Sequence, residues 1–436
     1  MHMMHTAMKK RRRWQCLVSR PNKLLLFLLL AAASSCCSCS ASSVDGKMGR
    51  IHSHLKRINK PAVRTIQQSP DGDSIDCVAR EQQHALDHPL LKKHKIQLKP
   101  TSFPINGSGS GSGGRRAWQT WHHVGHCPKG TVAVRRTNAD DVLRVGKPLS
   151  GFGRKHHEHR SRRAANAPDV VTGNGHEHAI AYTQGEVYYG AKATINVWDP
   201  SIQEPNGFSL SQLWILSGSF NGSDLNSIEA GWQYVMQVSP ALYGDSRPRL
   251  FTYWTSDAYE ATGCYNALCP GFIQTSPHIA IGASISPVSS VSGNQYDMTL
   301  LVWKDPRLGN WWLSYGGQLV GYWPAALFTH LGSAGGHASM VEWGGEVVNT
   351  SPGGAHTATH MGSGRFASQG FGKASYFRNL ETVDAGNSLV PVPLDALQTL
   401  AEDAGCYDIN KAFDDGRQGW GTHFYYGGPG HNPACP

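Results

Sequence analysis

"SMVEWGGEVVN", residues 339–349, sets two glutamates in a short apolar run. Side chains alternate along a strand, so Val341, Trp343, Gly345 and Val347 share one face. Glu342, Gly344, Glu346 and Val348 share the other. A second stretch, "SIEAGWQYV" at 227–235, repeats the arrangement. There Ile228, Ala230, Trp232 and Tyr234 face one way, while Glu229, Gly231 and Gln233 face the other. In both, one face reads as core, with Trp343 and Trp232 in it. The other carries acid beside glycine. Glycine weakens a strand, so its place there predicts the close approach of a ligand or of another backbone.

The same texture extends outward. From residue 176 onward, "HAIAYTQGEVYYGAKATINVW", "FSLSQLWILSGSF", "RLFTYWTS", "QYDMTLLVWKD", "GNWWLSYGGQLVGYWP" and "GKASYFRNLETVD" are short, β-branched or aromatic, and separated by Gly, Pro, Asn or Asp. Strands at this spacing, without a fixed-period repeat, predict an all-β fold: an antiparallel β-sandwich over 176–436. Composition agrees. The 436 residues hold 49 Gly and 24 Pro, 13 Trp, 15 Tyr and 13 Phe, and are only 16% charged.

The N-terminal part reads differently. Lys9, Lys10, Arg11, Arg12, Arg13, Arg20 and Lys23 precede "LLLFLLLAAASS", the pattern of a secretory signal peptide over 1–43. The apolar run is shorter than a membrane span requires, which favours export over a signal anchor. Those seven charges also explain most of the net +9, since +9 minus +7 leaves +2 for the rest. No basic face remains for nucleic acid. Residues 44–165 form a small α+β segment interrupted by a Gly/Ser linker at 106–116. A His/Arg-rich junction follows at 153–168, where Arg162 and Arg163 offer a processing site and His156, His157 and His159 gain charge in acid. Asn106, Asn221 and Asn349 lie in glycosylation sequons.

Beyond the signal six cysteines remain, an even number that reads as disulfides in an exported chain. Proximity favours Cys264–Cys269, and segment order favours Cys77–Cys127 and Cys406–Cys435. A metal site is not indicated: the six form no CxxC pair and no His stands at ligand spacing beside them.

Nucleophile and phosphate motifs are missing, including G-x-S-x-G, H-E-x-x-H and G-K-[S/T]. Carboxylates on strands are what remains. Two of them across a shared face can perform acid–base hydrolysis, because like charges at short range force one to keep its proton. That serves peptide bonds or glycosidic bonds. The E-x-D-x-x-E strand of jelly-roll glycanases is absent, which tilts against sugar cleavage.

At this point the chain resembles the neprosin family of plant secreted glutamic peptidases. "NKPAVRTIQQSPDGDSIDCV" and "ALDHPLLKKHKIQLKPTS" are similar to its activation peptide. "LNSIEAGWQ", "YGDSRPRLFTYWTSDAYEATGCYNALCPGFIQT", "GNWWLSYGGQLVGYWP", "MVEWGGEVV" and "FYYGGPGHNPACP" are similar to its catalytic domain. The resemblance implies a β-sandwich with two catalytic glutamates, Glu229 of "IEAGW" and Glu346, the last acid of "VEWGGE". It implies an inhibitory pro-domain removed at acid pH, cleavage after proline as in the founding member, and the same three disulfides. It implies no cofactor. Peptide or protein would be the substrate, the pro-domain an intramolecular partner, and the protein a monomer. Gln233 then suits orienting Glu229 or binding an oxyanion, and Gly344 and Gly345 suit room for a peptide backbone. Tyr265, Tyr322 and Trp323 suit a pocket for a proline ring. A non-catalytic cell-wall module that binds peptides or glycans is the competing reading, with a glycoside hydrolase third.

Overall fold

The computed structural model describes residues 46–436 apart from 68, 107–114, 145–152, 155–174, 205–206, 220–222, 236–246, 333–334, 413–415 and 418. The signal segment, Asn221, Arg162, Arg163 and the three junction histidines therefore lie outside the described residues, as does the side chain of Asn106. Residues 46–53 are helical and belong to a unit of their own; everything below concerns His54–Pro436.

The N-terminal segment builds a three-stranded sheet from β1 (Ala62–Ile66), β2 (Ile75–Ala79) and β3 (Thr131–Arg135), in that order. Cys77–Cys127 ties β2 to the segment before β3. Cys264–Cys269 and Cys406–Cys435 complete the expected set.

The sandwich has two faces. One is a six-stranded antiparallel sheet of β4 (His176–Tyr188), β6 (Phe208–Ser217), β7 (Asn226–Val235), β8 (Arg249–Thr255), β12 (Ala338–Val348) and β14 (Gln398–Ala401). Its order is β8-β7-β6-β12-β4-β14. The larger sheet runs β11 (Gln318–Trp323), β10 (Trp311–Tyr315), β9 (Tyr296–Lys304), β5 (Gly190–Asn196) and β13 (Ser375–Val383). β16 (His423–Gly427) pairs with β13, and β15 (Asp408–Ala412) with β16. Two short pieces of the N-terminal segment join this sheet. Ile105–Asn106 runs parallel to Ser388–Leu389, and Arg115–Arg116 runs parallel to Tyr296–Asp297.

The core between the sheets takes the face that alternation assigned to it. Ile228, Ala230, Trp232, Val341, Trp343 and Val347 are buried there against Met298, Leu300, Trp312 and Phe377. Trp232 also donates its indole N–H to Asn196 O across the sandwich at 2.8 Å. Trp232→Ala removes that bond and leaves a void, so urea denaturation should report a loss of about 3–5 kcal/mol.

Three sequence expectations need correction here. Gly345 does not make room for a substrate: it faces the core, where an added Cβ would sit 2.7 Å from Met361 and from Tyr426. Tyr322 and Trp323 are fully buried in the larger sheet and line no substrate pocket. Trp323 packs edge-on against Phe272, and the Tyr322 hydroxyl is engaged by Gln97 N at 2.9 Å and His94 Nε2 at 2.8 Å. Asn349, expected to carry glycan, is half-buried with its side chain engaged on both ends. Its amide donates to Glu177 at 3.0 Å and its carbonyl accepts from Ser351 N and Thr357 N.

Candidate active site

The strand register gathers the acids. Glu229 stands opposite Trp214, and Trp214 stands opposite Glu342. Two residues along the sheet, Gly231, Gln212 and Gly344 form the next row on that face. Two further, Gln233, Leu210 and Glu346 form a third. Strand spacing puts the Cα atoms of Glu229 and Glu342 about 10 Å apart. Glu229 and Glu346 lie on the diagonal, one row and one strand to either side of Gln212. Gln233 thus lies in the row of Glu346 rather than that of Glu229.

This face is not solvated, against the ordinary expectation for strand carboxylates. Glu229 and Glu342 are wholly buried, and Glu346 is 3% exposed. Ile180, Leu210, Trp214, Leu216, Phe251, Tyr253 and Tyr259 pack on the same face, with Tyr265 at their margin. Tyr265 meets Tyr253 edge-on, so of the three proposed pocket aromatics it alone belongs to this face.

Glu229 and Glu346 each have their own set of donors. On Glu229, Tyr259 Oη and Ser227 Oγ both donate to Oε1, at 2.7 and 3.0 Å. Ala258 and Tyr259 are held at positive φ, 53° and 65°, a conformation that costs side-chain-bearing residues of order 1–3 kcal/mol each. Thr255 Oγ1 and Leu225 O anchor the loop by accepting from Tyr259 N and Ala258 N. The strain aims the tyrosine at Glu229. On Glu346, His176 Nδ1 lies 2.5 Å from Oε1, Gln212 Nε2 donates to Oε2 at 3.3 Å, and His178 Nε2 stands 3.9 Å from Oε2. His178 is bonded in turn to Glu402 at 3.1 Å. Burial opposes charge on His178. The hydrogen bond to Glu402 and the charges of Glu346, Glu402 and Glu342 outweigh it, so its pKa lies above the ordinary value. Burial and the Glu342 charge also raise the Tyr182 hydroxyl.

Of the two close approaches that the glycines predicted, ligand or backbone, the structure shows the second. A Cβ on Gly344 would meet Ala179 O at 2.3 Å, and one on Gly231 would meet Ser211 O at 2.0 Å. It is the neighbouring strand that approaches, so these glycines let the sheet close tightly around the row that holds Gln212.

Sequence reading missed Gln212, His176, His178 and Tyr259. Gln212 did leave a signal. Along its face β6 reads Phe208, Leu210, Gln212, Trp214, Leu216, with one amide in an apolar row. Tyr259 left none, because its neighbours from Ser256 to Thr262 are all polar or small and only the fold defines the path of that loop.

The N-terminal segment reaches this neighbourhood. Gly153 O accepts from Tyr265 N at 2.7 Å, and Arg154 donates to Ala261 O at 2.8 Å. Both contacts fall on the loop that carries Tyr259. Elsewhere Arg249 of β8 bonds Asp73 and Gly282 O, Ser284 donates to Asp71, and Gln83 and Gln274 exchange a reciprocal pair of bonds at 3.1 and 2.8 Å.

Residues 205–429, more than half of the chain, match the neprosin family, and residues 66–182 match the neprosin activation peptide. Among solved structures, scytalido-glutamic peptidase with a peptide-based transition-state analogue overlaps 58% of this chain and 97% of its own, at 13% identity and a TM-score of 0.29. SCP-B, an eqolisin-family peptidase in complex with the tripeptide Ala-Ile-His, overlaps the same shares at 12% and 0.28. CG-16, a homodimeric agglutinin from chicken liver, overlaps 39% and 93% at 10% and 0.21. At these scores no residue role passes to this chain. The two family matches do carry identity: the chain belongs to the neprosin family, as a peptidase zymogen with its activation peptide in place.

Proposed function

We propose that the protein is an exported acid endopeptidase in which Glu346 and Glu229 hydrolyse peptide bonds through one water, with a preference for cleavage after proline. The observation that carries the reading is the pair Glu229 and Glu346, buried on one sheet face, each with its own donors. Donors converge on both oxygens of Glu346, the setting that suits a carboxylate anion acting as base. Glu229 accepts at Oε1 from the neutral hydroxyls of Tyr259 and Ser227, which suits the acid. Glu346 takes a proton from water, and the water oxygen bonds to the scissile carbonyl carbon. The carbonyl electron pair moves to its oxygen, which Glu229 protonates or bonds. Collapse of that intermediate breaks the C–N bond, and the amine leaves with the proton Glu346 received. The aromatic side chains of Trp214, Tyr253 and Tyr265 suit apolar substrate residues. The three disulfides support export to an oxidising compartment.

The test is to acidify the purified zymogen, allow processing, and offer proline-containing peptides beside wall polysaccharides, with and without chelator. Peptide cleavage that persists in chelator and falls by about 10²–10⁴-fold in Glu229→Gln is the expected result. Binding of either substrate without turnover would favour the non-catalytic module instead. Release of reducing sugar would favour the glycoside hydrolase.

A further inference from the structure

We propose that Gln212 completes the catalytic group, positioning Glu346 through its amide nitrogen and the attacking water through its amide oxygen. The inference rests on the two-glutamate reading above. Gln212 is wholly buried, on the central strand β6, in a row otherwise made of Phe208, Leu210, Trp214 and Leu216. An amide in such a place is costly unless both ends are bonded. Only one end is. Nε2 donates to Glu346, while Oε1 is buried with no hydrogen-bond partner among the described residues. Nearly all buried polar atoms in folded proteins are satisfied, and exceptions concentrate where function needs them.

Its location says what the open acceptor is for. Gln212 is the diagonal neighbour of both Glu229 and Glu346, about 7–8 Å from each between Cα atoms, a distance that long side chains span. The two glutamates are separated by two such diagonals, too far to share a proton directly. A water between them must be held by something that reaches the gap. The other members of the Gln212 row, Gly231 and Gly344, supply no side chain. The geometry therefore leaves the Gln212 oxygen to accept the water hydrogen that Glu346 does not take. That hydrogen stays on the oxygen that attacks, so Gln212 itself exchanges no proton.

The assignment differs from a packing role in its kinetic signature. Gln212→Met keeps the length and loses both bonds. Acid-processed Gln212→Met should show kcat lower by about 100-fold with KM changed less than about threefold. Gln212→Glu is the conservative partner. Protonated, its carboxyl still offers one donor and one acceptor; ionised, it repels Glu346. Its activity should match the parent's at the acid end of the profile and fall at least about tenfold below it as the new carboxyl ionises, above the ordinary carboxyl range because burial and Glu346 both oppose its charge. The idea is overturned if folded Gln212→Met keeps kcat within about threefold, or raises KM alone, or if the Gln212→Glu profile superimposes on the parent's. If Gln212→Met does not fold, as judged by its denaturation midpoint, the Gln212→Glu profile decides. Glu346→Gln is measured alongside. If it is inactive while Gln212→Met is not, this inference alone fails. If Glu346→Gln is fully active, the two-glutamate reading is what fails.

Discussion

Glu346→Gln should lower kcat for peptide hydrolysis by about 10³-fold, within the range of removing an essential base. The zymogen should still fold, because glutamine can keep one acceptor toward His176. Glu342→Gln is the informative comparison. It removes a charge that His178 and Tyr182 both feel. On the present reading it costs about tenfold at most and shifts the pH profile without abolishing activity. The register makes this more than a routine control, since Glu342 and not Glu346 stands in line with Glu229 across Trp214. An inactive Glu342→Gln beside an active Glu346→Gln would move the dyad by two rows along the same face.

Acid should release the activation peptide in two stages. Burial lowers the pKa of His94, which is bonded to Tyr322. Burial and then the Arg154 charge lower that of His88, which packs on Trp254. A base whose docked pKa lies below its free value binds fewer protons when docked. Its contribution to docking is therefore full above about pH 6.5 and declines as pH falls below that value. Asp71 acts lower. Burial opposes its charge, but hydrogen bonds from Ser284 and Ser69, the Arg249 charge and the Asp73 N–H bring its pKa down to about 2. Its contribution is present above about pH 3.8 and is lost as pH falls toward 2. Arg249→Leu takes one of two guanidinium partners from Asp73 and removes one support of Asp71. Breaking a buried pair costs about 3–5 kcal/mol, and here the low end applies because Arg135 still holds Asp73 at 2.7 Å. Gel filtration of nicked zymogen should show the peptide leaving at least one pH unit higher in Arg249→Leu. An unchanged midpoint would mean that Arg249 does not lock the peptide in place.

The sheet was readable from periodicity because period two separates faces without reference to the partner strand. That placed Trp232 and Trp343 in the core and Glu229, Glu342 and Glu346 on the same kind of surface. It left open which acid meets which, since register depends on pairings between segments more than a hundred residues apart. The same limit explains Gly345, whose neighbour Tyr426 comes from β16, and Tyr322, whose hydroxyl partner comes from the activation peptide. An aromatic residue near the end of a strand fits a pocket or a core equally well until its neighbours are known. Gln212 was legible as an anomaly, one amide in an apolar row, but its meaning required the two adjacent strands.

The parallel pairing of Ile105–Asn106 and Arg115–Arg116 with strands of the larger sheet changes what a proteolytic cut accomplishes. Main-chain hydrogen bonds do not depend on covalent continuity. Severing the junction would leave the peptide seated as a separate strand-donating ligand, and a cut molecule would remain silent. Activation then becomes a matter of dilution, pH and time as much as of proteolysis. A peptide released from one molecule should inhibit another in trans once neutrality returns, so local peptide concentration would set how far the active state spreads.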